Sequence, residues 1–291
     1  MSSVRGLLEH AARRLTPAAD EPLLEAQVLL AHCLGRDRSW LYAWPEHIPN
    51  ATQIACFARL VDERLRGRPV AHLTGEREFW SLRLLISPDT LIPRPETEQL
   101  IETALALELP DDARVLDLGT GSGAIALALA SARRTWRLTG LDRSAAALAV
   151  ARENARRLAL HNVDFLASDW FEALPEQSRF DLIVANPPYV ALDDPHLTRG
   201  DLRFEPRAAL VSGPDGLDAI RHIAANAATH LVPGGWLWLE HGSDQGGRVG
   251  AMLRQHGFDQ VELRHDLAGR ERASGGRSPR RGGQAQSGNP T

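Results

Sequence analysis

From residue 94 onward, short apolar runs alternate with amphipathic segments, and no other feature of the chain narrows its fold as far. Runs at 115–118, 136–141, 163–167, 180–185, 235–240 and 260–264 have the length of strands, and the segments 124–130, 145–158, 216–231 and 249–256 have helical length and spacing. Strands joined through helices run parallel, so the pattern predicts a doubly wound α/β sheet. Such sheets bind ligands beyond the carboxyl ends of their strands. The polar residues that follow each apolar run are therefore the first candidates for function.

Asp117-Leu118-Gly119-Thr120-Gly121-Ser122-Gly123 lies between an expected strand and an expected helix. Glycines let the backbone turn sharply and approach a ligand closely, and the helix that follows aims free N–H groups at the loop. Such a loop fits dinucleotides and adenosyl groups alike. The next strand ends at Leu141-Asp142, where a carboxylate can accept both hydroxyls of a ribose. The third ends at Ser168-Asp169-Trp170, a polar edge and an aromatic face suited to adenine. Each piece also has a plainer reading: Asp142 as the cap of the helix near Ala145, Asp169 as a loop carboxylate, Trp170 as core. Their shared position at three successive strand ends favours a nucleoside site.

The run at 180–185 leads into Asn186-Pro187-Pro188-Tyr189. Two prolines fix φ, donate no N–H, and push the residues before them toward extended conformations. The Asn186 side chain and the Pro187 carbonyl then face one point as two acceptors, with Tyr189 placed to cover it. That pocket suits a planar –NH2, either of an amide or of an exocyclic base amine. A proline-stiffened loop without chemistry is the alternative.

Residues up to about 70 read as a small helical bundle, with Asp20 and Pro22 as start signals and Gly35 and Gly67 as stops. Cys33 and Cys56 lie in these helices, as core or near-core thiols rather than a disulfide framework or zinc site. Alternation around 79–86 suits a β-hairpin. A formal net charge of -4 argues against a general nucleic-acid-binding surface. No apolar stretch is long enough to span a bilayer, and Glu9 and His10 break the one short N-terminal apolar pair, so a cytoplasmic protein is expected. Residues 273–291 are rich in Gly, Ser, Arg, Pro and Gln without an apolar run, and disorder is the expectation there.

The glycine loop 119–123, Asp142, Asp169-Trp170 and Asn186-Pro187-Pro188-Tyr189, in that order, resemble the class I S-adenosylmethionine-dependent methyltransferases. The tetrapeptide is shared by enzymes that methylate glutamine amides and adenine N6. Ile92-Pro93-Arg94-Pro95-Glu96-Thr97-Glu98 and Phe204-Glu205-Pro206-Arg207-Ala208-Ala209-Leu210 narrow the likeness to the release-factor glutamine methyltransferases, the PrmC or HemK family. The resemblance covers roughly residues 5 to 272. It implies a Rossmann-like methyltransferase sheet and four segments: a helical substrate-docking domain over 1–72, a β-hairpin linker over 73–93, a catalytic domain over 94–272, and a tail over 273–291.

The resemblance also implies the chemistry. S-adenosyl-L-methionine would be held by Gly119, Thr120, Gly121, Ser122, Gly123, Asp142, Asp169, Trp170 and Asn186, and would leave as S-adenosyl-L-homocysteine. Asn186 and the Pro187 carbonyl would accept the two amide hydrogens of a release-factor glutamine, Tyr189 would pack against the amide plane, and Pro188 would also line the substrate site. No metal is needed, since the sulfonium charge already activates the leaving group. No dedicated base stands out. Arg94 and Glu205 either shape the substrate entrance or form an ion-paired loop clamp. The helical domain either docks the protein substrate or only stabilises the catalytic half. Two rivals remain: an adenine-N6 methyltransferase, which should carry a basic groove, and a non-catalytic binder of the cofactor, which has no use for two converging acceptors.

Two places depart from the family pattern. Gly269-Arg270-Glu271-Arg272 leads into Ala273-Ser274-Gly275-Gly276 where an apolar strand is usual, so either the last strand is degenerate or the ending is altered, as by a shifted reading frame. Arg280-Arg281-Gly282-Gly283-Gln284 carries the Gly-Gly-Gln that the family methylates, a coincidence in so Gly-rich a tail.

Overall fold

The computed structural model of the chain describes residues 3–279. Contacts divide these residues into two compact units, one of residues up to Glu76 together with Pro195–Phe204, the other of the remainder.

The first unit contains α1 (Val4–Leu15), α2 (Pro22–Leu34), α3 (Arg38–Ala43), α4 (Ala51–Leu65) and α5 (Val70–Thr74). Leu15, Leu29, Leu30, Phe57 and Leu60 are buried at its centre. Pro22 stands in the first turn of α2, where a missing N–H costs nothing, and Gly35 ends that helix at φ 61°. At the start of α4, Gln53 N donates to Asn50 Oδ1 at 2.9 Å and Asn50 N donates to Gln53 Oε1 at 3.0 Å, a reciprocal cap. Arg64, buried to 7% exposure, donates to Glu25 Oε2 at 2.7 Å and to Asp201 Oδ1 at 2.9 Å. It thereby ties α2, α4 and the short turns of 195–204 into one body. Cys33 and Cys56 are free and half-buried against this core, with Sγ atoms 2.8 Å apart, in keeping with near-core thiols.

The second unit begins at Arg77, within a hairpin of β1 (Glu76–Phe79) and β2 (Leu82–Leu85). Its two-residue turn places Trp80 and Ser81 at φ 50° and 58°, the left-handed pair of a type I′ hairpin turn. There follow α6 (Glu98–Ala106), β3 (Arg114–Leu118), α7 (Ala124–Ala132), β4 (Arg137–Asp142), α8 (Ala145–Arg157), β5 (Val163–Ala167), β6 (Phe180–Ala185), α9 (Arg207–Leu210), α10 (Asp218–His230), β7 (Leu231–Glu240), α11 (Gly246–Gln255), β8 (Asp259–His265) and β9 (Glu271–Arg277). The seven-stranded sheet has the order β5-β4-β3-β6-β7-β9-β8. Strands β3 to β7 are parallel to one another in that row, as the alternation predicts. The chain moves outward from β3 to β5, then restarts at β6 on the other side, so strand order reverses between β3 and β6. No helix among the described residues is long and apolar enough to cross a membrane.

The end of the sheet corrects one expectation. Residues 273–277, read as disordered from composition, belong to β9, which lies antiparallel between β7 and β8. Small residues are what this slot admits. A Cβ on Gly275 would lie 2.2 Å from the Trp238 ring, and one on Gly276 would lie 2.9 Å from Phe258. The apolar surface comes from the neighbours, and β9 supplies backbone hydrogen bonds. The strand is degenerate in composition but present in the sheet. The rest of the expected tail from residue 280, including Arg280 to Gln284, lies outside the described residues.

Replacing Gly275 by Ala should lower stability by about 1–3 kcal/mol, the usual penalty of overpacking. Gly247→Ala, where an added Cβ meets nothing within 4 Å, is the matched control and should leave stability unchanged or slightly raised. Denaturant midpoints of the two variants decide it; equal midpoints would mean that Trp238 does not need the space.

Candidate active site

Strand register sets out the site as one row. Ala167 pairs with Asp142, Leu141 with Leu118, Leu118 with Ala185, and Ala185 with Leu239. The next residues, Gly119, Asn186 and Glu240, therefore leave three adjacent strands side by side, with Asp142 on the other flank of Gly119. Neighbouring strands lie about 4.8 Å apart, so the row spans a nucleoside-sized ligand.

On one side of the reversal is the glycine loop. Gly119, Gly121 and Gly123 have φ of 71°, 57° and 84°, all left-handed. Gly123 also begins α7 in close packing, where an added Cβ would lie 2.9 Å from Leu127 and 3.3 Å from Ala151. Thr120 is turned inward: its Oγ1 donates to Asp117 Oδ2 at 2.6 Å, and its N donates to Leu141 O at 2.8 Å. Ser122 is buried, and its carbonyl accepts from Asn154 Nδ2 at 3.0 Å. Asp142 accepts from Gly121 N at 2.9 Å through Oδ2 and from Ser144 N at 2.8 Å through Oδ1. The capping side chain of α8 is Ser144, which accepts from Ala147 N, so Asp142 is not that helix's cap. Each Asp142 oxygen keeps a second lone pair for a ribose hydroxyl.

Asp169 is exposed, and Trp170 is half-buried at φ 48°. Ser168 Oγ holds that strained residue by donating to Trp170 O at 2.8 Å, and accepts from Ala173 N at 3.1 Å. A Cβ on Gly119 would lie 3.9 Å from the Trp170 ring, so loop and ring border one space. The expected loop carboxylate and aromatic wall are thus brought to the same strand ends as Gly119 and Asp142. This cradle of left-handed glycines, with an oriented carboxylate and an aromatic wall, fits an adenosyl group.

On the other side of the reversal is the turn Asn186-Pro187-Pro188-Tyr189. Asn186 is half-buried and its Nδ2 donates to Thr97 Oγ1 at 3.1 Å, which leaves Oδ1 on the opposite edge of the amide. Pro187 is buried and Pro188 half-buried. The Tyr189 hydroxyl donates to Glu240 Oε1 at 3.2 Å, and its backbone carbonyl accepts from Gln245 Nε2 at 3.0 Å. Arg94 and Glu205 form an ion pair, and Glu205 also accepts from Ile92 N at 3.0 Å. Glu205 is buried while Arg94 keeps some exposure. The ion-paired alternative is therefore present, and it fixes the segment that carries Thr97.

Two buried acids underlie the row. Burial pushes Asp117 up to about 7, against the opposing hydrogen bonds from Thr120 and Ala126 N. Burial likewise pushes Glu240 up to about 7, against hydrogen bonds from Thr97 and Tyr189 and the charge of Arg272. The Tyr189 hydroxyl is pushed upward by burial and by Glu240, and so remains a donor. Thr97, Asn154 and Glu240 had no role assigned from sequence. Glu240 had a signal: it ends an expected strand, the same position that singled out Asp142. Among the described residues, no group of three or more His, Cys, Asp or Glu side chains converges as a metal site.

Comparison with known proteins bears on both units. The family described as PrmC N-terminal domain matches residues 6–75, and that described as methyltransferase domain matches residues 109–229. The release factor glutamine methyltransferase of Vibrio cholerae serotype O1 is 47% identical over 94% of this chain and 96% of its own length. That of Burkholderia pseudomallei is 52% identical over 92% of this chain and 96% of its own length. A methyltransferase structure from Pyrococcus furiosus, 18% identical, superposes with a TM-score of 0.53 over 76% of this chain and 99% of its own, a likeness of fold.

The burial of Glu240 has a pH consequence. Folding raises this acid from its ordinary value of 4.5 to about 7, so the folded protein keeps a proton that the unfolded chain releases. The resulting stability is complete below the unfolded value, declines as pH rises, and is lost above the folded value. Between pH 5 and 8 the wild type should therefore lose about 2–3 kcal/mol more than Glu240→Gln. Urea unfolding at both pH values measures it, and equal slopes would show that Glu240 does not titrate as a buried acid.

Proposed function

The chain belongs to the release factor glutamine methyltransferases, and from that premise we propose that it moves a methyl group from S-adenosyl-L-methionine to the side-chain amide nitrogen of the Gln in a release factor's Gly-Gly-Gln motif. The observation that supports the site assignment is the register that leaves Asp142, Gly119, Asn186 and Glu240 side by side at the carboxyl ends of adjacent strands, where a nucleoside cradle and a pair of amide acceptors would adjoin. Asp142 would accept the ribose hydroxyls, the loop 119–123 would pass beneath the cofactor's chain, and Asp169 and Trp170 would bound the adenine. The cofactor supplies an electrophilic methyl group on a positively charged sulfur.

The chain's own residues deal with the nucleophile. A glutamine nitrogen is weak because its lone pair is delocalised into the carbonyl. Asn186 Oδ1 and the Pro187 carbonyl, accepting its two hydrogens, orient that nitrogen and favour the positive charge that grows on it. The two prolines hold these acceptors in place before substrate arrives, so little ordering is needed at the moment of reaction. Tyr189 covers the amide plane and excludes water. Arg94, tied to Glu205, borders the same turn from the segment that carries Thr97. The helical unit supplies the surface on which the protein substrate docks. Such a substrate is met in the cytoplasm, where peptide chains are terminated, and nucleic acid is not the methyl acceptor.

Asp142→Ala should weaken cofactor binding by about tenfold or more, the worth of a charge-assisted hydrogen bond, and calorimetric titration reads it directly. An unchanged dissociation constant would reduce Asp142 to a brace for Gly121 and Ser144.

Mass spectrometry of release factor incubated with enzyme and cofactor should show one added methyl, on the Gly-Gly-Gln glutamine alone. Changing that Gln to Glu removes the –NH2 and leaves oxygen facing two acceptors, so methylation should vanish. Parallel incubations with unmodified DNA and tRNA test the rival, and label in adenine would overturn the glutamine reading.

A further inference from the structure

Asn154, on α8, has no exposed surface, and both polar atoms of its side chain meet backbone. Its Oδ1 accepts from Leu85 N at 2.7 Å. Its Nδ2 donates to Leu85 O at 3.1 Å and to Ser122 O at 3.0 Å. Leu85 ends β2 of the hairpin, and Ser122 lies in the glycine loop. One amide on a third element thus joins the two.

The partners fix which way the amide faces. A backbone N–H only donates and a carbonyl only accepts. Half a turn of the amide would set N–H against N–H and oxygen against two carbonyls. Leu85 therefore aims the hydrogen that Ser122 O receives.

Ser122 draws on this partner because the helix beyond it does not reach back. The first hydrogen bond of α7 runs from Leu127 N to Gly123 O at 2.8 Å. One residue earlier, Ala126 N donates to Asp117 Oδ2 at 3.2 Å. Gly123 N donates to Thr120 O at 2.8 Å, so the Ser122–Gly123 peptide is gripped at its N–H by Thr120 and at its carbonyl by Asn154. Gly123 sits at φ 84°, and glycine takes either sign of φ at little cost. Without Asn154, the Ser122 carbonyl would be buried and unpaired, and rotation of the peptide would be its route to another partner.

We infer that Asn154 is a positioning residue for the cofactor: aimed by Leu85, it holds the Ser122–Gly123 peptide and so keeps the loop 119–123 in one form before the ligand arrives. The inference rests on the reading of that loop as the S-adenosyl-L-methionine cradle, and it makes the hairpin a brace for the cofactor site. A loop that spends only part of its time in the binding form binds more weakly by that fraction.

Calorimetric titration with S-adenosyl-L-methionine, alongside the melting temperature, tests the inference without any methyl acceptor. Asn154→Ala removes all three bonds. Asn154→Asp keeps the shape and the bond from Leu85 N but donates nothing, and it serves if Asn154→Ala does not fold. Each should raise the Kd by about tenfold, the worth of one hydrogen bond. Gly275→Ala is the control for lost stability alone, and its Kd should stay within about twofold of the wild type. In release-factor methylation, the Asn154 variants should raise the cofactor's KM while kcat at saturating cofactor stays within about twofold, because bound cofactor restores the loop. An unchanged Kd in the Asn154 variants would overturn the inference and leave Asn154 a tie between α8 and the hairpin. So would a Kd that follows melting temperature across all three variants, or a fall in kcat with KM unchanged. A wild-type protein that binds no S-adenosyl-L-methionine would sink the cofactor reading itself.

Discussion

The site depends on the parallel pairing of β3 with β6. These strands flank the point where strand order reverses, and their register alone puts Gly119 beside Asn186. A slip of one residue would turn every side chain of one strand to the opposite face. Two features hold the register. Leu116, Leu118, Ile183 and Ala185 pack in one apolar cluster, and a one-residue slip of β3 would put the polar Asp117 on their face. At the far end of the pair, Arg114 N donates to Asp181 Oδ2 at 2.8 Å, and the Arg114 guanidinium lies over the Phe180 ring. The reactive geometry at one edge is thus pinned from the opposite edge.

Each of the two loops that meet at this edge is fastened to a buried acid. Asp117 receives Thr120 Oγ1 and Ala126 N and so holds the glycine loop to the start of α7. Glu240 receives the Tyr189 hydroxyl and so holds the proline turn. Both acids stand near neutrality because burial disfavours their charge. Hydrogen bonds in so dry a setting are stiff, since water cannot compete for either partner. Loops held this way keep their acceptors in place before a ligand arrives, and preorganisation of that kind is what electrostatic catalysis requires.

How much of this was legible in the sequence follows from the range of each signal. Strand and helix alternation, the three glycines, Asp142 and the tetrapeptide are local patterns, and the structure brings them together as expected. Thr97 and Asn154 gave no signal, because their partners Asn186, Ser122 and Leu85 are distant in sequence and meet them only in the folded chain. The same holds for residues 195–204, which join the helical unit through Asp201 and Arg64. Residues 273–277 misled for a different reason. Composition treats Gly and Ser as unable to bury surface, yet a strand beside Trp238 and Phe258 needs only a backbone.

The reactive row and the choice of substrate are separate problems for this chain. Two acceptors and an aromatic cover, as proposed, would select a planar –NH2, and an amide and an adenine both offer one. Discrimination between them has to come from contacts outside the row, as a difference in affinity for whole substrates. The surface charge bears on this, because a polyanion requires many cationic contacts and the chain's formal net charge is -4. A protein loop needs only shape and a few hydrogen bonds around the glutamine. On the proposed reading, the Asn186–Tyr189 turn would fix which chemical group reacts, and the surfaces beyond it would fix which molecule brings that group.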